Sequence, residues 1–195
     1  MAERTSSTLG GDAPLSSARD PDAAAAGLDI LDENAELVGR TVSINRPRQE
    51  LYDFWRDFRN LPLFMENIEG VTIVNGNRSH WVVRGPGNSD LEWDSEITED
   101  VPGAVIAWRT VTGANIRNSG RVDFRDSPNG RGTVVTVTLA YETPGGKLGK
   151  AYARIFRREP RIQARQELRR FKQLMETGEI PTSAIAPEAA VEEST

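Results

Sequence analysis

From Ile68 to Tyr141 the chain alternates apolar and polar residues with a period of two, interrupted at five places by turn chemistry. Only an extended backbone sends successive side chains to opposite faces, so this stretch reads as β-strands. The expected strands are Val71–Val74, Ser79–Arg84, Leu91–Glu99, Ala104–Thr110, Ser119–Asp126 and Thr133–Tyr141. Between them lie Asn75-Gly-Asn77, Gly85-Pro-Gly87, Pro102-Gly103, Gly113-Ala-Asn115 and Pro128-Asn-Gly130, all of which favour reversals. Short links between consecutive strands imply an antiparallel meander. Each strand keeps one apolar side: Trp81 with Val83, Trp93 with Ile97, Ile106 with Trp108, Val122 with Phe124, and Val135 with Val137 and Leu139. The opposite sides carry His80 and Arg84, Glu92, Asp94 and Glu96, Arg121 and Asp123, and Thr136 and Thr138. One face is expected dry and the other wet.

Helical signals flank this block. A further strand, about Glu36 to Asn45, precedes Pro47, which suits a helix start. Leu51, Phe54, Trp55 and Phe58 then recur at helical spacing, and Asn60 and Pro62 are expected to end that helix. Leu61, Leu63, Phe64 and Met65 form a second short helix or turn. After Pro144-Gly-Gly146, Leu148, Tyr152, Ile155 and Phe156 make an apolar stripe. Pro160 opens another helical piece that runs to about Thr177, with Gly178 as its terminator and Ala164, Leu168, Phe171 and Met175 on its buried side. The fold class is therefore α+β. A helix following a curved seven-stranded sheet can bury its stripe only on the dry, concave face.

Cysteine is absent and histidine occurs once, which excludes disulfide scaffolds, thiolate metal sites and multi-histidine centres within one chain. No cofactor is expected. The net charge of −5 conceals three unlike parts. Residues 1–35 hold two basic and seven acidic side chains, residues 181–195 hold three acidic ones, and residues 36–180 are left at +3. Both tails are rich in small, polar and acidic residues and poor in large apolar ones, so they are expected to be disordered, which leaves 36–180 as one domain. No stretch resembles a secretion signal or a membrane span, so a cytoplasmic protein is expected.

Several segments resemble a known family. Ser43-Ile-Asn-Arg-Pro, Glu50-Leu-Tyr-Asp-Phe-Trp-Arg-Asp-Phe and Asn60-Leu-Pro-Leu-Phe-Met are similar to the polyketide cyclase/dehydrase and lipid-transport superfamily, START-like or SRPBCC. So are Ser79-His-Trp-Val-Val, Glu92-Trp-Asp-Ser-Glu-Ile-Thr-Glu-Asp, Ile106-Ala-Trp-Arg and Arg169-Arg-Phe-Lys-Gln-Leu-Met-Glu-Thr-Gly-Glu-Ile. The branch they look most like is the bacterial one related to coenzyme Q-binding START domains. The resemblance implies a helix-grip fold, in which a long C-terminal helix plugs a curved antiparallel sheet around an apolar cavity. It carries no catalytic residue set to this chain. It implies binding of a small hydrophobic ligand (lipid, isoprenoid quinone or polyketide-like), with a polyketide-type aromatase/cyclase and a membrane-surface or stress-response module as alternatives.

With that fold in mind, Trp55, Phe64, Trp81, Trp93, Trp108, Phe124, Tyr152, Phe156 and Phe171 are candidates to line the cavity. Plain core packing is the competing reading for each of them. Tyr141 and Tyr152 could orient a ligand through their hydroxyls, whereas Arg109 should point to solvent. Tyrosines are also the only acid–base groups expected in the cavity. Glu92, Asp94 and Glu96 share the wet face, with Arg84 and Arg121 as expected partners, so shifted acid–base chemistry is not expected there. His80 is read as a surface residue. Gly145-Gly-Lys-Leu-Gly-Lys-Ala fails the phosphate-loop spacing and lacks its hydroxyl. From Lys147 to Thr177 the chain carries +7. Arg161, Arg165, Arg169 and Lys172 form one basic stripe there, either a solvated helix face or a surface for transient contact with anionic membranes. Nucleic acid is not expected as a partner, and the sequence leaves the oligomeric state open.

Overall fold

The computed structural model of the chain describes residues 36–84, 90–114, 116–128, 130–142 and 160–179. All seven expected strands are present: β1 (Glu36–Ile44), β2 (Ile68–Ile73), β3 (Arg78–Val83), β4 (Leu91–Val101), β5 (Val105–Thr110), β6 (Arg117–Asp126) and β7 (Thr133–Glu142). They form one antiparallel sheet in the order β1-β7-β6-β5-β4-β3-β2. Strands β2 to β7 are the expected meander, and β1 returns to pair with β7 from Glu36↔Tyr141 to Ile44↔Thr133. Helix α1 (Arg48–Arg56) follows β1, and the long helix α2 (Pro160–Thr177) closes the described part of the fold. The two acidic tails and the Leu148–Phe156 stripe lie outside the described residues.

Helix α1 is shorter than its apolar spacing suggests. It ends at Arg56, and Phe58–Leu63 form a tighter 3-10 helix that contains Asn60 and Pro62. Asp57 starts this second turn by accepting a hydrogen bond from the Arg59 amide, at 3.2 Å. The Asn60 amide donates to the Phe54 carbonyl, at 2.9 Å, and so satisfies an acceptor that the end of α1 leaves open. The tighter turn still buries Phe58 and Leu61. Helix α2 stops as expected: Gly178 has φ 77°, and its amide reaches the Leu174 carbonyl at 2.8 Å. Arg46 donates to the carbonyls of Met175 and Glu176, at 2.7 and 3.0 Å, and fixes that end against β1.

The outer face of the sheet is less uniformly wet than alternation suggests. Thr138 was expected in solvent, yet it is fully buried. Register places Thr138 and the buried Ala107 on either side of Arg121, whose guanidinium meets Glu99 and Asp123. Long arginine stems cover such ground while the head stays paired at the surface. The carboxylates of β4 also find partners other than Arg84 and Arg121. His80 Nδ1 lies 2.8 Å from Asp94, and Arg109 donates to Glu96 at 3.0 Å, because register sets these residues side by side.

A bulge between Ile97 and Glu99 breaks the alternation in β4. Without it, Asp100 would share the outer face of Glu96. With it, Glu99 takes the outer face and Asp100 turns towards α1. There Asp100 accepts a hydrogen bond from the Tyr52 hydroxyl and another from Arg56, the latter at 2.7 Å. Burial, reinforced by the neighbouring carboxylate, pushes the Tyr52 phenol up to about 12.

Candidate functional site

Two aromatic clusters divide the concave face. At one end, α1 and the C-terminal half of α2 bring Trp55, Phe64, Phe124 and Phe171 together. Trp55 and Phe64 each lie 4.9 Å from Phe171, centroid to centroid. Trp55 also meets Phe124, at 6.5 Å. All four are at most 1% exposed. At the other end, Trp81 stacks on Trp93 and on Trp108, with ring centroids 6.3 and 6.2 Å apart, and Phe58 packs on both Trp81 and Trp108. Register accounts for the first of these pairs, since Trp81 pairs with Trp93, whereas Trp108 pairs with Ile97 farther along β4 and reaches Trp81 through its ring.

Above the tryptophan stack lies a cavity of about 110 Å³. Trp81, Val83, Trp93 and Trp108 form its floor, and Val38, Leu139 and Tyr141 extend the floor across β1 and β7. Leu61, Met65 and Ile68 close one side, and Gln163, Ala164 and Glu167 of α2 form the roof. Every strand contributes at least one lining residue, and none of the four rings of the first cluster is among them.

The sequence candidates therefore separate. Trp81, Trp93, Trp108 and Tyr141 line the cavity; Trp55, Phe64, Phe124 and Phe171 are core residues and do not. Tyr152 and Phe156 lie outside the described residues, as does the glycine-rich segment at Gly145. In the basic stripe, Arg165 and Arg169 are exposed. Lys172 instead turns towards β1 while staying partly exposed: it donates to the Ser43 carbonyl at 2.7 Å and pairs with Glu176 at 3.2 Å. Its charge holds α2 to β1. The Arg161 side chain lies outside the described part.

One cavity residue escaped the sequence reading. Glu167 reaches the apolar space from α2, and Gln163, one turn earlier, donates to its Oε1 at 2.9 Å. Burial pushes this carboxyl up to about 7; the Gln163 hydrogen bond and Arg170 oppose the shift, and Glu66 adds to it. Arg170 is itself paired with Glu66, which ties α2 to the turn before β2. The expectation that only tyrosines could supply an acid or base here is thus corrected. The signal was present, because Glu167 falls between Ala164 and Phe171 on the buried side of the helical repeat.

Gly120 holds the floor in place. It pairs with Trp108 across β5 and β6, and a Cβ at position 120 would sit 2.3 Å from the indole Cζ2. Gly120→Ala is expected to push Trp108 off the sheet and lower stability by about 1–3 kcal/mol. Urea unfolding followed by tryptophan fluorescence checks this; an unchanged midpoint and spectrum would show that the ring tolerates the methyl group.

Comparison with known proteins agrees with this architecture. The family model described as polyketide cyclase / dehydrase and lipid transport matches residues 44–169. An uncharacterised 17.2 kDa protein of Streptomyces lincolnensis is 28% identical over 145 residues, which cover 71% of this chain and 89% of that one. The crystal structure of a Deinococcus radiodurans protein superposes with a TM-score of 0.62 at 39% identity, covering 74% of this chain and 99% of the other. The Zhui aromatase/cyclase of a Streptomyces species shares the fold, with a TM-score of 0.57 at 16% identity over 75% of this chain and 99% of its own. The matched stretch runs from the end of β1 into α2 and takes in every cavity-lining residue except Val38, and so the chain belongs to the polyketide cyclase/dehydrase and lipid transport family.

Proposed function

We propose that this protein binds a small hydrophobic ligand in the cavity between the sheet and α2, without transforming it. The observation that carries this reading is an apolar space walled by three stacked tryptophans and roofed by a helix, with polar groups confined to a few positions. A space lined in this way offers water few partners, whereas an apolar molecule gains roughly 25 cal/mol for each Å² it buries. The polar side chains Asn67, Asn118, Tyr141, Gln163 and Glu167 would orient the guest. Lipids and polyketide-like molecules are the ligand classes that the family description supports, and isoprenoid quinones (the coenzyme Q class included) suit the same apolar lining. Exposed Arg165 and Arg169 would let such a carrier touch anionic membranes in transit.

Native mass spectrometry of the purified protein, with extraction of whatever co-purifies, tests this. A bound apolar species, or saturable quenching of tryptophan by an added apolar ligand, is the expected result. An empty protein that binds no apolar probe would overturn the reading.

Glu167 supports a second reading, as an aromatase/cyclase-type enzyme. A carboxyl held near neutrality inside a cavity can give or take a proton. Turnover of a polyketide-like chain, lost in Glu167→Gln, would favour this over simple binding.

A further inference from the structure

We infer that the molecule held in this cavity carries a hydrogen-bond acceptor, a carbonyl oxygen, which it presents to the Glu167 carboxyl at the α2 roof. The inference rests on the binding reading above and specifies the chemistry of its ligand. Three features of the site lead to it. First, Glu167 stands where α2 faces the apolar floor, and it is the one carboxylic acid among the described residues that line the cavity. Second, its carboxyl is already positioned: Gln163, one turn earlier on the same helix, donates to Oε1 at 2.9 Å. The second carboxyl oxygen is not used by that bond.

Third, the surrounding charges do not hold the group ionised. From α2 the facing cation is Arg170, and that guanidinium is engaged by Glu66 from the turn before β2. From β7 the facing titratable group is the Tyr141 phenol, which brings no cation to the site. From β1, β3, β4 and β5 the lining residues Val38, Trp81, Val83, Trp93 and Trp108 bring no charge at all. Apolar walls therefore favour the protonated acid, and burial accordingly raises its pKa to about 7. A protonated carboxyl has one hydrogen to donate, and the partner it lacks is an acceptor. An apolar ligand with a ketone, quinone or ester oxygen supplies that acceptor. A hydrocarbon would leave the donor buried and unmet, at a cost that a matched carbonyl removes.

The test uses the full chain and two probes, a medium-chain 2-alkanone and the n-alkane of equal length, titrated by tryptophan quenching across the range from about pH 5 to about pH 9. Below neutrality the alkanone is expected to bind about tenfold more tightly than the alkane. This preference should decline as pH rises through about 7, while alkane binding changes little. Glu167→Gln keeps a donor that does not titrate, so it should retain the preference and lose its pH dependence. Glu167→Leu should bind both probes alike. Equal binding of the two probes to the natural protein at every pH would overturn this inference and leave the cavity reading intact. Failure of both probes to bind would instead sink the cavity reading. An alkylammonium probe that outcompetes the alkanone, and tightens as pH rises, would show that the site is built for a cation and would also overturn the inference.

Discussion

Phe171→Ala is expected to lower the stability of the fold by about 3–5 kcal/mol, the range for removing a fully enclosed phenylalanine. Phe171 is 0% exposed and meets Phe54, Trp55 and Phe64, with ring centroids 4.9–6.0 Å away. These partners come from α1 and from the end of the 3-10 helix, so one ring joins three separate elements. None of them can close the gap cheaply, because Trp55 and Phe64 are each packed against further rings. The ring lies outside the cavity, and ligand affinity should therefore change little at temperatures where the variant is folded. Guanidinium titration followed by circular dichroism measures the loss. A decrease under about 1 kcal/mol would mean that the aromatic cluster repacks freely.

Glu167→Gln should act in the opposite direction, and only above mildly acidic pH. The folded-state pKa of Glu167, about 7, lies above its ordinary value of 4.5, so between those values the native protein binds more protons at this site than the unfolded chain does. Stability from this group is therefore complete below about pH 4.5, falls as pH rises, and is lost by about pH 7. The full cost amounts to at most about 3 kcal/mol, less whatever solvent reaches the half-buried side chain. A neutral amide of the same shape removes that cost and can still accept the Gln163 hydrogen bond. The stability curves of the two proteins should coincide at low pH and separate through the interval, with the variant the more stable at pH 8. Parallel curves would show that Glu167 is solvated and ordinary.

Much of this fold was legible because its signals are local. Alternation over Ser79–Arg84 or Thr133–Tyr141 has one extended interpretation, and the turn residues mark where each strand must end. Gly178 terminates α2 through a backbone conformation that glycine adopts readily, so its role was also visible. Other features depend on partners far away in sequence. Nothing in Ile97-Thr-Glu99 announces a bulge, yet that bulge decides that Asp100 meets Tyr52. Periodicity marked eight aromatic residues and Tyr152 alike as inward-facing. Which of the described ones line the cavity follows from the register between Trp81 and Trp93 and from how far α1 extends over the sheet. Lys172 was grouped with Arg165 and Arg169 by spacing alone, and the nearby Ser43 carbonyl decides its direction. Glu167 was overlooked for a different reason. A charged residue within a strongly basic helix suggests a solvated face, although its position in the repeat assigned it to the buried side.

The most direct test of the central claim is to fill the cavity from its roof. Ala164 is 8% exposed and lines the space from α2, so Ala164→Phe places a ring where a ligand would lie. Titration of an apolar probe, read by quenching of Trp81, Trp93 and Trp108, compares the variant with the natural protein. Cooperative urea unfolding of both establishes that each is folded. Affinity should fall at least about tenfold while the fold persists. An unchanged affinity in a folded variant would contradict the account, since the ligand would then be bound somewhere other than between sheet and helix.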